Sequence, residues 1–240
     1  FTLSEMGMFI NRGGPVPSVH SFAQSTMGWL FLFFMAFTLL ASLGAFLWRM
    51  DSLKSREGLD AVLSRESAFL TQNVLFLVVA FVTLWGTIYP VISQAAQDEV
   101  ITIGEPYFNI VNGPILLAIV FLMAVGPLLP WRRANFRTVM NSVRIPFAMA
   151  IVTLVILSIL GIRAPLALLA LSICSMVLAG IFREWVRGTK SRHLNGESYP
   201  LAFGRLLTAN RPRYGGYIVH LAITMLAVGA VGSSFYDVQR

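Results

Sequence analysis

Residues 210–231 read NRPRYGGYIVHLAITMLAVGAV, a basic start containing proline and glycine, followed by an apolar run. The pattern predicts a membrane-spanning helix that begins near Gly215 and contains one histidine, His220. An ionisable group at membrane depth normally faces protein, water or a cofactor rather than lipid. Gly216 and Thr224 share its helical face and leave room for another helix or a flat macrocycle. Two interpretations are open: a packing histidine bonded to a neighbouring carbonyl, and a cofactor ligand.

The rest of the chain is also strongly apolar. Of its 240 residues, 56% are hydrophobic and 12% charged, and the mean hydropathy is +0.72. A soluble domain carries about 25% charged residues, so the composition indicates an integral membrane protein. The net charge of +7 could suggest a nucleic-acid partner. The basic residues, however, cluster in segments between apolar runs, where they act as topology signals, and we expect no nucleic-acid partner.

Apolar runs long enough for a hydrocarbon core of roughly 30 Å predict an all-α polytopic protein with six transmembrane helices. The predicted spans are residues 27–48, 68–92, 113–129, 146–162, 165–182 and 215–234. Residues 1–26 form a leader that contains His20, and glycine and proline from Gly13 onward should break any helix begun before them. Residues 235–240 begin a second polar segment.

The basic residues also predict the orientation. Fifteen of the 18 Lys and Arg residues lie in the segments after spans 1, 3 and 5. The other side holds only Arg12, Arg163 and Arg240. Because positively charged loops stay in the cytoplasm, both termini are expected on the periplasmic side. His20 is then outside, and His220 lies toward the cytoplasmic half of its span.

Common catalytic motifs are absent from the sequence. It contains no Walker loop, GxSxG, HExxH or CxxC, and its single cysteine, Cys174, cannot form an internal disulfide. The six spans contain no Asp, Glu, Lys or Arg, which argues against an ion-coupled carrier with a charged relay. A transporter built on broken helices stays possible. So does a membrane cytochrome b, because neutral imidazole is a usual haem ligand, although His220 supplies only one axial position.

Five segments follow one another along the chain in a recognisable order. Residues 7–23 read GMFINRGGPVPSVHSFA, and residues 210–221 read NRPRYGGYIVHL. Between them lie Ser64-Arg65-Glu66, GEPYFN at residues 104–109, and GPLL at residues 126–129 before Trp131-Arg132-Arg133. Together these segments resemble motifs of the CcmF family, the haem lyase component of the c-type cytochrome maturation system. The first is similar to the family pattern TFLTRSGxxxSVHAFA, with departures at Gly14, Pro17 and Ser21, and the second is similar to RRYGGYxVH.

The resemblance implies roles for three residues. The chain is similar to a middle portion of a longer protein, after a tryptophan-rich WWD segment. His20 matches an outer histidine that ligates the iron of the haem being delivered and is therefore the expected catalytic residue. His220 matches the transmembrane histidine that ligates a resident b-type haem. The second ligand of each haem is expected from the upstream portion. Arg12 would suit a haem propionate or anchor the leader to lipid headgroups.

The activity implied by the resemblance is that of a haem lyase of the holocytochrome c synthase type. Such a protein takes haem, its substrate at the periplasmic face, from a haem chaperone and attaches it through thioether bonds to the CxxCH motif of apocytochrome c. The implied partners are the haem chaperone, apocytochrome c, thiol-reducing and apocytochrome-binding maturation subunits, and membrane lipids. The implied location is the bacterial inner (cytoplasmic) membrane. A transporter or permease fragment, and a non-catalytic b-haem scaffold subunit of a respiratory complex, are the alternatives.

Overall fold

A computed structural model describes residues 2–12, 27–54, 61–130 and 135–236 of the chain. Within these ranges all regular structure is helical and no strand is present. A short 3-10 turn, Gly126–Leu128, follows the fourth of the α-helices described there. The α-helices are α1 (Thr2–Arg12), α2 (Met27–Leu53), α3 (Arg65–Gln97), α4 (Glu105–Val125), α5 (Phe136–Ile159), α6 (Pro165–His193), α7 (Tyr199–Ala209) and α8 (Arg211–Tyr236).

Six of the described helices, α2 to α6 and α8, are long and apolar enough to cross a bilayer. Large apolar side chains on α2, such as Phe33, Phe37 and Leu40, are about two-thirds exposed, as expected where the solvent is lipid (70%, 69% and 68%). Helices α1 and α7 have 11 residues each and are too short to span roughly 30 Å. The prediction of an all-α fold with six helices long and apolar enough to cross a membrane is confirmed for the described residues. The side of the membrane on which the termini lie stays a prediction.

The chain forms two compact units, and each is described by itself. The first comprises Phe1–Gly58 and Val82–Phe108, and the second Leu59–Phe81 and Asn109–Arg240. In the first unit, α1 packs along α2, and Thr38 of α2 donates a hydrogen bond to the Glu5 carboxylate. A carboxylate in the first turn also suits the positive end of the α1 dipole. This hydrogen bond therefore fixes α1 against its neighbour.

A close approach within the first unit explains the GEPYFN motif. The rings of Tyr107 and Phe108, at the start of α4, meet edge to face at 5.2 Å. A Cβ added at Gly86 of α3 would lie 2.7 Å from the Phe108 ring and 3.0 Å from that of Tyr107. Gly86 is therefore the flat surface on which this aromatic pair packs.

Replacing Gly86 by alanine should destabilise this contact. Alanine ordinarily stabilises a helix interior by about 0.5–1 kcal/mol relative to glycine, whereas overpacking costs roughly 1–3 kcal/mol. Gly44→Ala in α2 is the matched control, because nothing lies within 4 Å of its added carbon. We expect the apparent Tm in detergent to fall for G86A and to hold or rise for G44A. Equal Tm values for the two variants would contradict the close approach.

In the second unit, two of the sequence motifs meet at the end of α4. The Arg65 side chain donates hydrogen bonds to the carbonyls of Leu129, at 3.1 Å, and Pro127. Its backbone N–H donates to the carbonyl of Pro130 at 3.1 Å. In a 3-10 turn the carbonyl of Pro127 would normally accept a hydrogen bond from the backbone N–H of residue 130. Residue 130 is a proline and has no N–H to donate. The arginine of Ser64-Arg65-Glu66 thus supplies donors that the proline-containing turn lacks.

A second arginine plays the same part between α5 and α6. Pro146 lies inside α5 and cannot donate to the carbonyl of Ser142, one turn earlier. Arg183 of α6 donates to that Ser142 carbonyl instead, and to the Asn141 carbonyl at 3.3 Å. These hydrogen bonds therefore provide a donor for the carbonyl that Pro146 leaves without its helical partner, and they join α5 to α6.

The core of the second unit lies where α6 packs against α4, α7 and α8. The segment 183–214 lies between the last two predicted spans, yet most of it is helical, as the end of α6, α7 and the start of α8. Helices of this length depend on tertiary packing rather than on propensity, and this segment contributes buried side chains. The buried cluster comprises Met123, Ala124, Met176, Val177, Ile181, Leu206, Tyr214 and Tyr217.

Candidate functional site

Helix α8, which contains His220, is positioned at its start by Asn210. The Asn210 side chain accepts a hydrogen bond from the Arg213 N–H at 3.3 Å, and its carbonyl accepts from the Tyr214 N–H at 3.0 Å. Asparagine is favoured at a helix N-terminus for this reason. Pro212 is tolerated in the first turn, where its missing N–H has no helical partner. The sequence Asn-Arg-Pro therefore starts the helix two and a half turns before the histidine.

An ion pair joins α8 to α6 near this start. Arg213 donates to the Glu184 carboxylate at 2.6 Å, and Arg187 lies 3.9 Å from its second oxygen. Only 7% of the Glu184 side chain is exposed, against 48% of that of Arg213. A carboxylate this buried requires a paired charge. The pair therefore restrains both the depth and the rotation of α8 relative to α6.

Two tyrosines continue the contact toward the histidine. A Cβ added at Gly188 of α6 would lie 2.8 Å from the Tyr214 hydroxyl and 2.9 Å from Leu206, so the helices approach closely there. The rings of Tyr214 and Tyr217 meet edge to face at 6.0 Å, and that of Tyr217 meets His220 at 6.4 Å. Both tyrosines are buried. The imidazole therefore follows a packed aromatic row on one side of α8.

The ring of His220 is half-buried, and its Nδ1 is buried without a hydrogen-bond partner among the described residues. Buried polar atoms normally have one, and each exception needs a reason. Thr224, fully buried, donates instead to the backbone carbonyl of His220 at 2.7 Å. The bond from the ring to a neighbouring carbonyl, which a purely packing role predicts, is not made by Nδ1 within the described chain.

The surroundings of His220 fit a flat, axially ligated group such as a haem. Gly216, one turn earlier, would place an added Cβ with nothing within 4 Å, and the same holds for Gly215. Small residues on the approach, with an unpaired imidazole nitrogen beside them, suit a macrocycle bound through its iron. The described residues contain no group of three or more His, Cys, Asp or Glu for another kind of metal site.

The other predicted site residues lie at or beyond the limits of the described chain. His20 is outside the described residues, and Arg12 is the last residue of α1, with a side chain that is likewise not described. Their proposed roles at the iron and propionate of the delivered haem stay predictions. Of the three predicted ligands, His220 is the one whose surroundings the structure describes.

Sequence reasoning missed the two carboxylates that organise the basic segment. Glu184 pairs with Arg213 and Arg187, and Glu197 accepts hydrogen bonds from Arg192, at 2.9 Å, and from Arg205, at 3.1 Å. Hydrogen bonds from Arg192 above all hold the pKa of the Glu197 carboxyl below its ordinary value. Its bridge is therefore intact at neutral pH and is lost as the pH falls through that lowered pKa. In the sequence, the signal for these ion pairs was that Glu184 and Glu197 each lie among several arginines.

Comparison with known proteins identifies relatives along the whole chain. It is 34% identical over 245 residues to the cytochrome c-type biogenesis protein CcmF of Pseudomonas aeruginosa, covering 100% of this chain and 36% of that protein. It is 30% identical over 247 residues to CcmF of Escherichia coli, covering 100% and 35%. The chain thus spans about a third of the length of these relatives. No family model matches.

A solved structure agrees with these relatives. A chain described as the cytochrome c haem lyase CcmF superposes with a TM-score of 0.53 at 29% identity, covering 73% of this chain and 26% of the other. Among the described residues the fold is that of a multi-pass helical membrane protein, and the relatives are named as cytochrome c-type biogenesis proteins. More particularly, the chain is a homologue of the CcmF family, matching about a third of its members' length. The resemblance inferred from the sequence motifs is confirmed.

Replacing Glu184 by glutamine should destabilise the packing of α8. The substitution keeps the shape but leaves the Arg213 guanidinium without its carboxylate, and removing one partner of a buried pair is strongly destabilising. Because Arg213 is half-exposed, we expect a loss of about 1–3 kcal/mol, measured as a fall in Tm in detergent. Asp51→Asn, which removes the exposed pair with Lys54, is the control and should change the Tm little. A Tm for E184Q as close to wild type as that of D51N would contradict this role.

Proposed function

We propose that the intact protein is the haem lyase component of a c-type cytochrome maturation system. The homology to CcmF along the whole chain carries this proposal. The unpartnered ring nitrogen of His220 beside small residues supports it independently. Six apolar helices indicate a multi-pass membrane protein, and we place it in the bacterial inner membrane with both termini periplasmic, as the distribution of basic residues predicts.

His220 is the residue that would hold a resident b-type haem through its imidazole. A haem held there would supply one-electron redox chemistry. Within this chain, the Glu184–Arg213 pair and the Asn210 cap set the depth of α8 and therefore that of the imidazole. Thr224 donates to the backbone carbonyl of His220 and not to its ring, and the ring Nδ1 has no hydrogen-bond partner among the described residues. A second residue that would hold the haem is expected from the upstream portion of the protein.

His20 is the proposed catalytic residue at the periplasmic face, where it ligates the iron of the haem substrate. The substrate arrives from a haem chaperone and is attached to the CxxCH motif of apocytochrome c. Each cysteine S–H adds across one vinyl group, so that a C–S bond forms, the double bond is consumed and the proton ends on the neighbouring carbon. The addition is redox-neutral, and it requires thiols rather than a disulfide. Thiol-reducing and apocytochrome-binding subunits are therefore expected partners, and Arg12 is the proposed partner of a haem propionate.

Replacing His220 by alanine should abolish the b-type haem absorption band of the purified intact protein, because the substitution removes the proposed ligand. The measurement is the reduced-minus-oxidised spectrum, normalised to protein. His193→Ala is the matched control: the His193 ring stacks on Tyr199 at 3.8 Å and contacts the Glu197 carbonyl at 2.8 Å, so it has a structural role. A full band in H220A would remove the ligand assignment.

Replacing His20 by alanine should strongly reduce the yield of holocytochrome c in cells while leaving the b-type band unchanged, because only the delivered haem loses its ligand. The yield is measured by haem staining of a reporter c-type cytochrome. His193→Ala again serves as the control and should give the wild-type yield. An unchanged yield in H20A would refute the proposed catalytic role.

Failure of the intact protein to capture apocytochrome and holo-chaperone would instead favour a scaffold subunit.

A further inference from the structure

A groove between α5 and α6, in the second unit, is not used by the proposed haem chemistry. It has a volume of about 850 Å³, within the roughly 300–1,000 Å³ typical of small-molecule sites. The part of the groove on the N-terminal side of Arg183 in α6 is lined by apolar side chains, among them Ile145 and Met149 of α5 and Leu178 and Phe182 of α6. None of its described lining residues is acidic.

Three basic residues line the other end of this groove. Arg183, Arg187 and Lys190 lie three or four residues apart on α6 and line the same groove as Leu178 and Phe182. Arg183 is held by the carbonyls of α5 and lines the groove between the helices. Arg187 is largely exposed, with only a 3.9 Å contact to Glu184, and Lys190 is exposed in the last turn of α6. The exposed Arg187 and Lys190 are therefore positioned to meet an anion above the apolar part.

The length of α6 places these two parts at different depths. Phe182 ends the apolar run, so Arg187 and Lys190 lie about 8 and 12 Å beyond it along the helix axis, at 1.5 Å per residue. The headgroup layer adds roughly 5–8 Å to each side of the hydrocarbon core, so Arg187 lies at its outer limit. Lys190 lies about 4 Å farther out, from where its long side chain reaches back toward the layer. The apolar lining reaches back to Ser175, about 10 Å into that core. The groove therefore matches a molecule with an anionic head and an apolar tail within one leaflet.

We propose that this groove binds an anionic phospholipid, with its headgroup phosphate between Arg187 and Lys190 and an acyl chain along Met149, Leu178 and Phe182. Charge complementarity selects the headgroup, since basic pockets between transmembrane helices on the cytoplasmic side favour anionic lipids. A bound lipid would bridge α5 and α6 at the level where Arg183 already joins them. The proposal does not depend on haem binding or on the assignment of His220.

The test is lipid binding to the intact protein, purified in detergent, delipidated and analysed by native mass spectrometry. Phosphatidylglycerol is titrated against zwitterionic phosphatidylcholine. The wild type should bind phosphatidylglycerol at least tenfold more tightly. The double substitution R187Q/K190Q should weaken that binding by roughly 30-fold, given the contribution expected of two basic residues at a membrane surface. Equal affinity of the wild type for both lipids would overturn the proposal.

The matched control removes two charges outside the groove. R205Q/R211Q changes the net charge by the same amount at exposed positions on α7 and α8, and its affinity for phosphatidylglycerol should stay that of the wild type. If both double variants lose affinity equally, the effect is general electrostatics and the proposal fails.

Two further arms separate the headgroup from the groove. Ala179→Phe fills the apolar part with all charges retained, and it should reduce the binding of both lipids, whereas unchanged binding would contradict the acyl-chain position. Glycerol phosphate, which has the anion but no tail, should not displace the lipid. Displacement by glycerol phosphate would show an anion site instead. Circular dichroism of each variant confirms the helical fold before binding is compared.

Discussion

Helices in a bilayer must satisfy their backbone carbonyls within the protein, because hydrocarbon offers no hydrogen-bond donor. Prolines break this rule locally, and two arginines restore it here. Arg65 donates to the carbonyls around Pro127, and Arg183 donates to the Ser142 carbonyl, whose helical partner would be the missing N–H of Pro146. A guanidinium suits this task because its several N–H groups reach adjacent acceptors at once. The ends of α4 and α5 depend on these two side chains.

The candidate site rests on the same part of the molecule. Helix α6 pairs with α5 through Arg183 and with α8 through Glu184, adjacent residues whose side chains serve different neighbours. The position of His220 follows from the second of these contacts and from the Asn210 cap. The proposed lipid groove lies on the side of α6 that faces α5. One helix therefore connects the proposed cofactor ligand to the membrane interface.

The sequence predicted what hydropathy and local pattern determine. Six apolar runs predicted six helices long and apolar enough to cross a membrane, and five motifs in order gave the resemblance to the family. It could not predict the roles of Arg65 and Glu184, because their partners lie 62 and 29 residues away and only tertiary packing brings them together. The sequence did not predict that α6 continues past Phe182 for the same reason, because the helical state of these charged turns depends on Gly188 packing against Leu206 and Tyr214. The orphaned Nδ1 of His220 is likewise a property of the packing.

The continuous run of α6 from its membrane-embedded half to Glu184 has a consequence for changes of chain length. Each residue inserted between Phe182 and Glu184 would turn everything beyond it by about 100° around the helix axis. The carboxylate would then point away from Arg213, and the basic row would leave its groove. Insertions or deletions in this stretch are therefore harmful one residue at a time. Only insertions or deletions of three or four residues, close to a whole helical turn, would bring Glu184 and the basic residues back to their original sides of the helix. Changes in chain length should therefore be tolerated mainly in the connections between helices.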